Sequence, residues 1–524
     1  MQTRVLSTFS LLFASISAII GSGWLFSAYY TSTLAGAGSI LSWIIGGIGI
    51  TIVAFTFAEL SAFVPVTGAS IRIPRYTHGS MVGFVFAWIL WLSYLALTAA
   101  EVQAMIQYCN FFFPGLVYLS GGLTGYGYLW ASLLMLIITT INLYSLRWLI
   151  SCNNVLTVLK IIIPILIAAA ILWVEFKQHT LTLSAHNEKL LPFGFHGVLA
   201  AITSGGIVFA FNGFKQAAEM AGEAANPSRA LPRAIVGSVL ICLLIFLCLQ
   251  VAFLSTIHSN LDLTFWKTIH VSGINSPFAL ILTQTHLTHL LPILYIGAII
   301  GPFAAGLMYC GSSARSLYAM SCNGSLSPHL QFLTKKGIPI KAIIVNYILA
   351  MCLFAPFPGW NSMANFLTSL MALAYATAPI CVYTLRKRLG DQERFFKLPY
   401  ANLWSFVAFY ICSLLFYWSG WPIVSKFYIA LLIGLGILFF YKMSNKKNRA
   451  LSLDWKAGAW MWPYFIGMTI LSYYGSFNGK GVIPFGIDFI FVAMLSIFTL
   501  WFAGKCAFDS ETIHRSLEKI KHPS

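Results

Sequence analysis

The chain has 524 residues, 59% of them hydrophobic and only 9% charged, with a mean hydropathy of +0.81. A soluble domain carries roughly a quarter charged residues, so this composition excludes one and marks an integral membrane protein. The surplus of +17 does not point to nucleic acid, because the basic side chains fall in alternate loops between apolar segments.

Those segments, each near the roughly 20 apolar residues that span a bilayer, recur along almost the whole chain. The pattern predicts an all-α polytopic fold. Its spans lie near 6–33, 38–64, 81–109, 126–146, 151–174, 196–222, 231–257, 289–321, 341–356, 362–385, 402–420, 422–442, 456–475 and 484–504. The first follows Arg4 in the manner of a secretory leader. It runs on to Thr33 without a small-residue cleavage site, so it reads as a retained span. Loops after even-numbered spans hold Arg72, Arg75, Arg147, Arg229, Arg233, Lys335, Lys336 and Lys341. Further on they hold Arg386, Lys387, Arg388, Arg394, Lys446, Lys447 and Arg449. Loops after odd-numbered spans hold little beyond Lys177, Lys189, Lys267 and Lys480. The positive-inside rule then predicts a multi-pass protein of the cell (inner or plasma) membrane with both termini cytoplasmic.

Cys152, Cys242, Cys248, Cys310, Cys352, Cys381 and Cys412 sit inside apolar segments, and no CxxC spacing occurs. They read as buried small hydrophobes. Two outer loops, 175–195 and 258–288, hold His179, His186, His258, His270 and His286, with His196 and His289 at their edges. None has metal-ligand spacing; His286 and His289, three apart, are the one pair to examine. No metal and no cofactor is expected.

Two spans carry internal breaks. Ile19-Ile20-Gly21-Ser22-Gly23-Trp24 interrupts the first and Phe209-Ala210-Phe211-Asn212-Gly213-Phe214 the sixth. Glycine there frees backbone N–H and C=O groups that survive at membrane depth only where they line a cavity or bind something. A matched pair of Gly-interrupted helices points to the midplane site of a secondary transporter. The breaks fall five spans apart, which predicts a 5+5 arrangement. An odd number of spans per repeat inverts the second copy. The expected units are residues 1–174 and 196–385, then accessory spans over 401–504 and a tail over 505–524.

Residues Ile20-Gly21-Ser22-Gly23-Trp24-Leu25-Phe26 resemble the "IIGSGIF" motif of bacterial amino-acid permeases of the amino acid–polyamine–organocation superfamily. Ala58-Glu59-Leu60 with Pro65, Thr67 and Gly68 is similar to the end of their second helix. Gly222-Glu223, Asn226-Pro227, Arg229 and Leu231-Pro232-Arg233 resemble the run after their sixth. Ser313-Ala314-Arg315, Tyr318-Ala319-Met320 and Asn323-Gly324 resemble the stretch after their eighth. Within the superfamily, Gly23 to Phe26, Ile71 to Pro74, His78-Gly79, Phe357 to Asn361, Tyr417 to Trp421 and Tyr473 to Phe477 look most like the aspartate:proton symporter subgroup. The resemblance implies a LeuT-like inverted-repeat core with about four extra C-terminal helices. It also implies a proton-coupled symporter of amino acids, acidic ones such as aspartate; an amino-acid exchanger shares every motif.

Half-helix N-termini offer free N–H groups and a positive dipole end to a substrate carboxylate. Gly21, Ser22 and Gly23 are the candidates. Half-helix C-termini suit the ammonium, which assigns it the carbonyls of Ile19, Ile20, Phe209, Ala210 and Phe211, beside Asn212 and Gly213. Close helix packing is the alternative role for the glycines. Phe211 or Trp24 is the candidate lid, with a core or lipid-facing place as the alternative.

Lys160 lies well inside span five, where a centred lysine costs about 2.5–3.5 kcal/mol. The resemblance implies that Lys160 carries the proton, touching carbonyls near Gly21; snorkelling to the cytoplasmic surface is the alternative. Glu101, deep in span three, is read as a proton relay or a hydrogen-bonded structural acid, and Glu59 as structural. Lys215 departs from the family's "GFE" run. It is assigned to the side-chain carboxylate of an acidic substrate, against an i, i+4 ladder Lys215–Glu219–Glu223. No HExxH, GxSxG or paired acidic motif supports a membrane enzyme, and no output domain supports a receptor. Partners are then an amino acid, protons and the bilayer; homo-oligomer formation stays open.

Overall fold

The computed structural model describes residues 6–66, 68–143, 146–177, 191–257, 276–335, 337–390, 392, 394, 396–444 and 453–521. Side chains of 146–155 and 519–521 are outside that description. His179, His186, His258 and His270 also lie outside it, as do Thr67, Lys189, Lys267, Lys336, Lys446, Lys447 and Arg449.

The first expected span is two helices, α1 (Thr8–Ile19) and α2 (Gly23–Ala35), followed by α3 (Ser39–Phe63), α4 (Ala69–Cys109), α5 (Gly125–Asn142) and α6 (Leu146–Lys177). The sixth span is α7 (Gly194–Ser204), α8 (Ile207–Ala210), a 3-10 turn Asn212–Lys215 and α9 (Gln216–Glu219). Then come α10 (Pro227–Ser255), α11 (Pro277–Gln284), α12 (Leu291–Cys322), α13 (Ile340–Leu353), α14 (Gly359–Tyr375) and α15 (Thr377–Arg388). The C-terminal part is α16 (Ala401–Trp418), α17 (Trp421–Ser444), α18 (Trp455–Gly458), α19 (Met461–Tyr474), α20 (Ile487–Cys506) and α21 (Ser510–Lys521).

Ten helical stretches among the described residues are long and apolar enough to cross a membrane, eleven if the bent sixth span counts as one. Of the other expected spans, the first is divided, the ninth is the short α13, and the thirteenth is α19. The protein is thus all-α and polytopic. Two expected boundaries move. Helix α4 begins twelve residues before the expected 81, because Ala69–His78 is helical and joins the span through Gly79, whose φ of 84° makes the bend. Ser80 starts the new segment, and Asp454 Oδ2 accepts from its N–H and hydroxyl, both at 2.8 Å. Span ten divides at Ala376 into α14 and α15.

The two broken spans run antiparallel. α1 packs on the 212–215 turn and α9, while α2 packs on α7 and α8. The sixth span bends by 46° between its halves. Gln250 of α10, fully buried, ties this bundle. Its Oε1 accepts from Thr31 Oγ1 at 2.7 Å and Trp43 Nε1 at 2.9 Å, and its Nε2 donates to Ser32 Oγ at 2.9 Å. Both ends of the described chain lie on one face: Leu6 N donates to Glu223 O, Gly68 N to Glu219 O and Phe508 N to Thr77 O.

Cys242, Cys310, Cys381 and Cys412 are buried as expected, but Cys248 and Cys352 are exposed on helix surfaces.

Candidate transport site

The crossing of the two breaks is built by three glycines. A Cβ on Gly213 would overlap the backbone of Ala18 and Ile19, and one on Gly23 would come within 2.8 Å of Ala210 Cα. A Cβ on Gly21 would overlap the Glu101 carboxylate. Helix α1 ends as Ile20 turns to ψ 79°, and Gly21 N donates to Ile19 O at 2.9 Å.

Side chains of two other helices hold the ends of this first break. Lys160 of α6, 3% exposed, donates from Nζ to Ser17 O at 2.8 Å and reaches Ser17 Oγ at 3.4 Å. Glu101 of α4, 2% exposed, accepts from Ser22 N at 2.8 Å through Oε2. The amine therefore meets the carbonyl end of one half-helix and the carboxylate meets the N–H end of the other, as the dipoles favour. Tyr309 of α12 adds a bond from its hydroxyl to Ala18 O at 2.9 Å. Trp360, fully buried at the start of α14, donates from Nε1 to Ser22 Oγ at 2.7 Å.

The second break is furnished differently. Lys215 and Asn212 are buried, yet Lys215 Nζ and Asn212 Nδ2 have no hydrogen-bond partner among the described residues, and neither has Glu219 Oε1. The Lys215 ammonium lies 4.7 Å from the ring centre of Tyr94 and 5.8 Å from that of Tyr375, within the range of a cation–π attraction. Tyr375 in turn donates to Asn212 O or Oδ1, both at 3.3 Å. Tyr94 stacks on Tyr309 at 5.9 Å, so a tyrosine row joins the second break to the first.

The expected residues fall as follows. Ile19, Ile20, Gly21, Ser22, Gly23, Phe209, Ala210, Phe211, Asn212 and Gly213 come together at the crossing, with Lys160 and Glu101 on the first break and Lys215 on the second. Of the Lys215–Glu219–Glu223 ladder, Lys215 and Glu219 lie within electrostatic reach of each other, but they make no hydrogen bond among the described residues. The segment changes from 3-10 to α-helix and back between 212 and 223, so the i, i+4 register does not run on from Glu219 to Glu223. Phe211 packs on Trp43 and Phe246, and Trp24 on Phe278. The ring cluster beside Ser22 is instead Trp360, stacked on Phe26 at 4.9 Å and edge-on to Phe209 at 4.9 Å. His196 contacts Ser476 O at 3.2 Å and lies on Phe477. No group of three metal-ligating residues occurs among the described residues, which include His286 and His289.

Residues 6–440 match the family model described as amino acid permease. The chain belongs to the amino acid permease family. The permease is 33% identical to the glutamate/serine transporter AimA of Bacillus subtilis (strain 168), over 98% of its own length and 96% of that protein. It is 32% identical to the aspartate-proton symporter of the same organism, over 95% and 96%. A branched-chain amino acid permease of that organism is 26% identical, over 85% and 94%. The permease is accordingly a membrane transporter of amino acids and not an enzyme.

Sequence reasoning missed Trp360, Tyr94, Tyr309 and Tyr375. Trp360 lay in the run Phe357-Pro358-Gly359-Trp360-Asn361, which stood out only as a subgroup mark. The tyrosines gave no signal of their own, since an aromatic in an apolar span carries no visible cost.

Proposed function

We propose that the permease is a proton-coupled symporter of acidic amino acids, with both termini cytoplasmic. The observation that carries the acidic preference is Lys215: a buried ammonium among tyrosine rings with no hydrogen-bond partner among the described residues. Glu219 lies within electrostatic reach of the ammonium but makes no hydrogen bond with it. A buried charge without a contacting partner is costly, and a substrate's side-chain carboxylate supplies that contact, with Asn212 Nδ2 as a second donor. The antiparallel crossing of the broken spans supports reading 1–174 and 196–385 as inverted repeats around that site.

Coupling runs through Lys160 and Glu101 on the first break. Proton loss from Lys160 removes the charge from its bond to Ser17 O. Proton gain by Glu101 weakens its hold on Ser22 N–H and frees that donor for a substrate carboxylate. Either event loosens one half-helix relative to the other, which is how protonation changes the conformation open to substrate.

The test is uptake of radiolabelled aspartate into proteoliposomes with and without an inward proton gradient. Accumulation above equilibrium with the gradient, competed by glutamate, is expected. Uptake that requires amino acid preloaded inside would make the permease an exchanger, and no aspartate movement would remove the acidic preference.

A further inference from the structure

A cavity of about 630 Å³ opens between the end of α15 and the start of α16, far along the chain from both breaks. Its walls include Tyr383, Arg386, Lys387, Tyr400, Asn402 and Leu403. Three features make it a site for a membrane-borne anion.

First, its cations are presented in fixed and mobile forms. Arg386 is pinned on its far side. Nε donates to Glu59 Oε1 at 2.7 Å, and Nη2 donates to Glu59 Oε2 at 3.0 Å and Leu398 O at 3.3 Å. That holds the guanidinium plane still and leaves Nη1 as its uncommitted donor group among the described residues. Lys387 is exposed, with its ammonium 5.9 Å from the Tyr383 ring. Along 386–397 five basic residues stand against two acidic ones, Asp391 and Glu393, so the segment carries a surplus of three positive charges. Second, α16 begins in the cavity wall at Ala401. No side chain caps it and no acid lies in its first turn, so its positive end adds to the same field. Third, the rim is apolar and exposed: Tyr400 is 84% and Leu403 59% accessible. Tyr400 is held at φ 47°, an unfavourable conformation for a residue with a Cβ, which turns the chain into the helix at this rim.

A soluble anion gains nothing from an exposed leucine and tyrosine, whereas acyl chains lying along a membrane helix do. Basic side chains with tyrosine at the water boundary of a span match the chemistry of an acidic headgroup. We propose that this cavity binds the phosphodiester headgroup of an anionic phospholipid, held by Arg386 Nη1 and Lys387, with Tyr400 and Leu403 against its chains. Because Arg386 also grips Glu59 at the end of α3, a bound headgroup stiffens the link between α3 and α15. Arg394, 3.5 Å from Glu59, shares that link.

Native mass spectrometry of the full-length protein with phosphatidylglycerol tests this without reference to transport. Wild type is expected to retain phosphatidylglycerol over phosphatidylethanolamine. Lys387→Glu should lower that retention by about tenfold or more, with Lys387→Gln in between and thermal unfolding in detergent unchanged for both. Equal retention by wild type and both variants would overturn the proposal. So would displacement of the lipid by millimolar inorganic phosphate, which would make the cavity a site for a free anion.

Discussion

The two breaks are alike in sequence and opposite in furnishing. At the first, Lys160 and Glu101 reach in from α6 and α4 and satisfy Ser17 O and Ser22 N–H, so both of these groups are held without a ligand. At the second, Lys215 Nζ, Asn212 Nδ2 and Glu219 Oε1 have no hydrogen-bond partner among the described residues. The comparison separates two jobs that a single motif conceals. In the proposed function, the break whose ends are held by titratable side chains is the one that responds to protons. In the same proposal, the break whose buried donors lack hydrogen-bond partners is the one that meets the substrate.

The largest effect is expected where the breaks touch. Gly213→Ala drives a methyl into the backbone of Ala18 and Ile19, and overpacking of even a forgiving core costs about 1–3 kcal/mol. Loss of transport with a lowered unfolding temperature is expected; normal uptake would mean that the crossing is looser than it stands here. Lys160→Ala comes next. Gradient-driven accumulation of aspartate should fall at least about tenfold, the equivalent of 1.4 kcal/mol, while binding measured by calorimetry persists. Unchanged coupling would place the proton elsewhere and dissolve the contrast between the breaks.

Lys215→Ala should weaken aspartate binding by about tenfold or more, from the loss of one charged hydrogen bond, and leave a neutral amino acid little changed. Equal loss for both would show that the second break is structural. The smallest effect is expected for Trp360→Phe, which keeps a ring against Phe26 and Phe209 but deletes the bond to Ser22 Oγ. A loss of about 1 kcal/mol, roughly fivefold in apparent affinity, is expected from uptake kinetics. No change would leave Trp360 as packing alone.

Much of this was legible in the sequence because each feature violates a local rule. Glycine inside an apolar run signals a break, and Lys160 and Glu101 stand out because charge at membrane depth is costly. What they touch was not legible. Glu101 and Ser22 are 79 positions apart and Trp360 and Ser22 338 apart, and no periodicity within one helix encodes such pairings. The occupation of Ser22 N–H by Glu101 also changes the expected picture, in which Gly21, Ser22 and Gly23 waited for the substrate alone. The early start of α4 was hidden for another reason. Arg72, Pro74 and Arg75 read as a loop, whereas the bend rests on Gly79 and on the distant carboxylate of Asp454.

The backbone contacts at Gly213 and Gly23 have a mechanical consequence. Side chains cushion most helix crossings and let two helices slide by a fraction of a turn before either feels the other. Here main chain rests on main chain at two points on either side of the breaks, so there is no slack to take up. A tilt of α1 drags α9 with it, and a tilt of α2 drags α8. The four half-helices work as the blades of one hinge, and in the proposed function a proton taken up at one arm is felt at the other through these main-chain contacts.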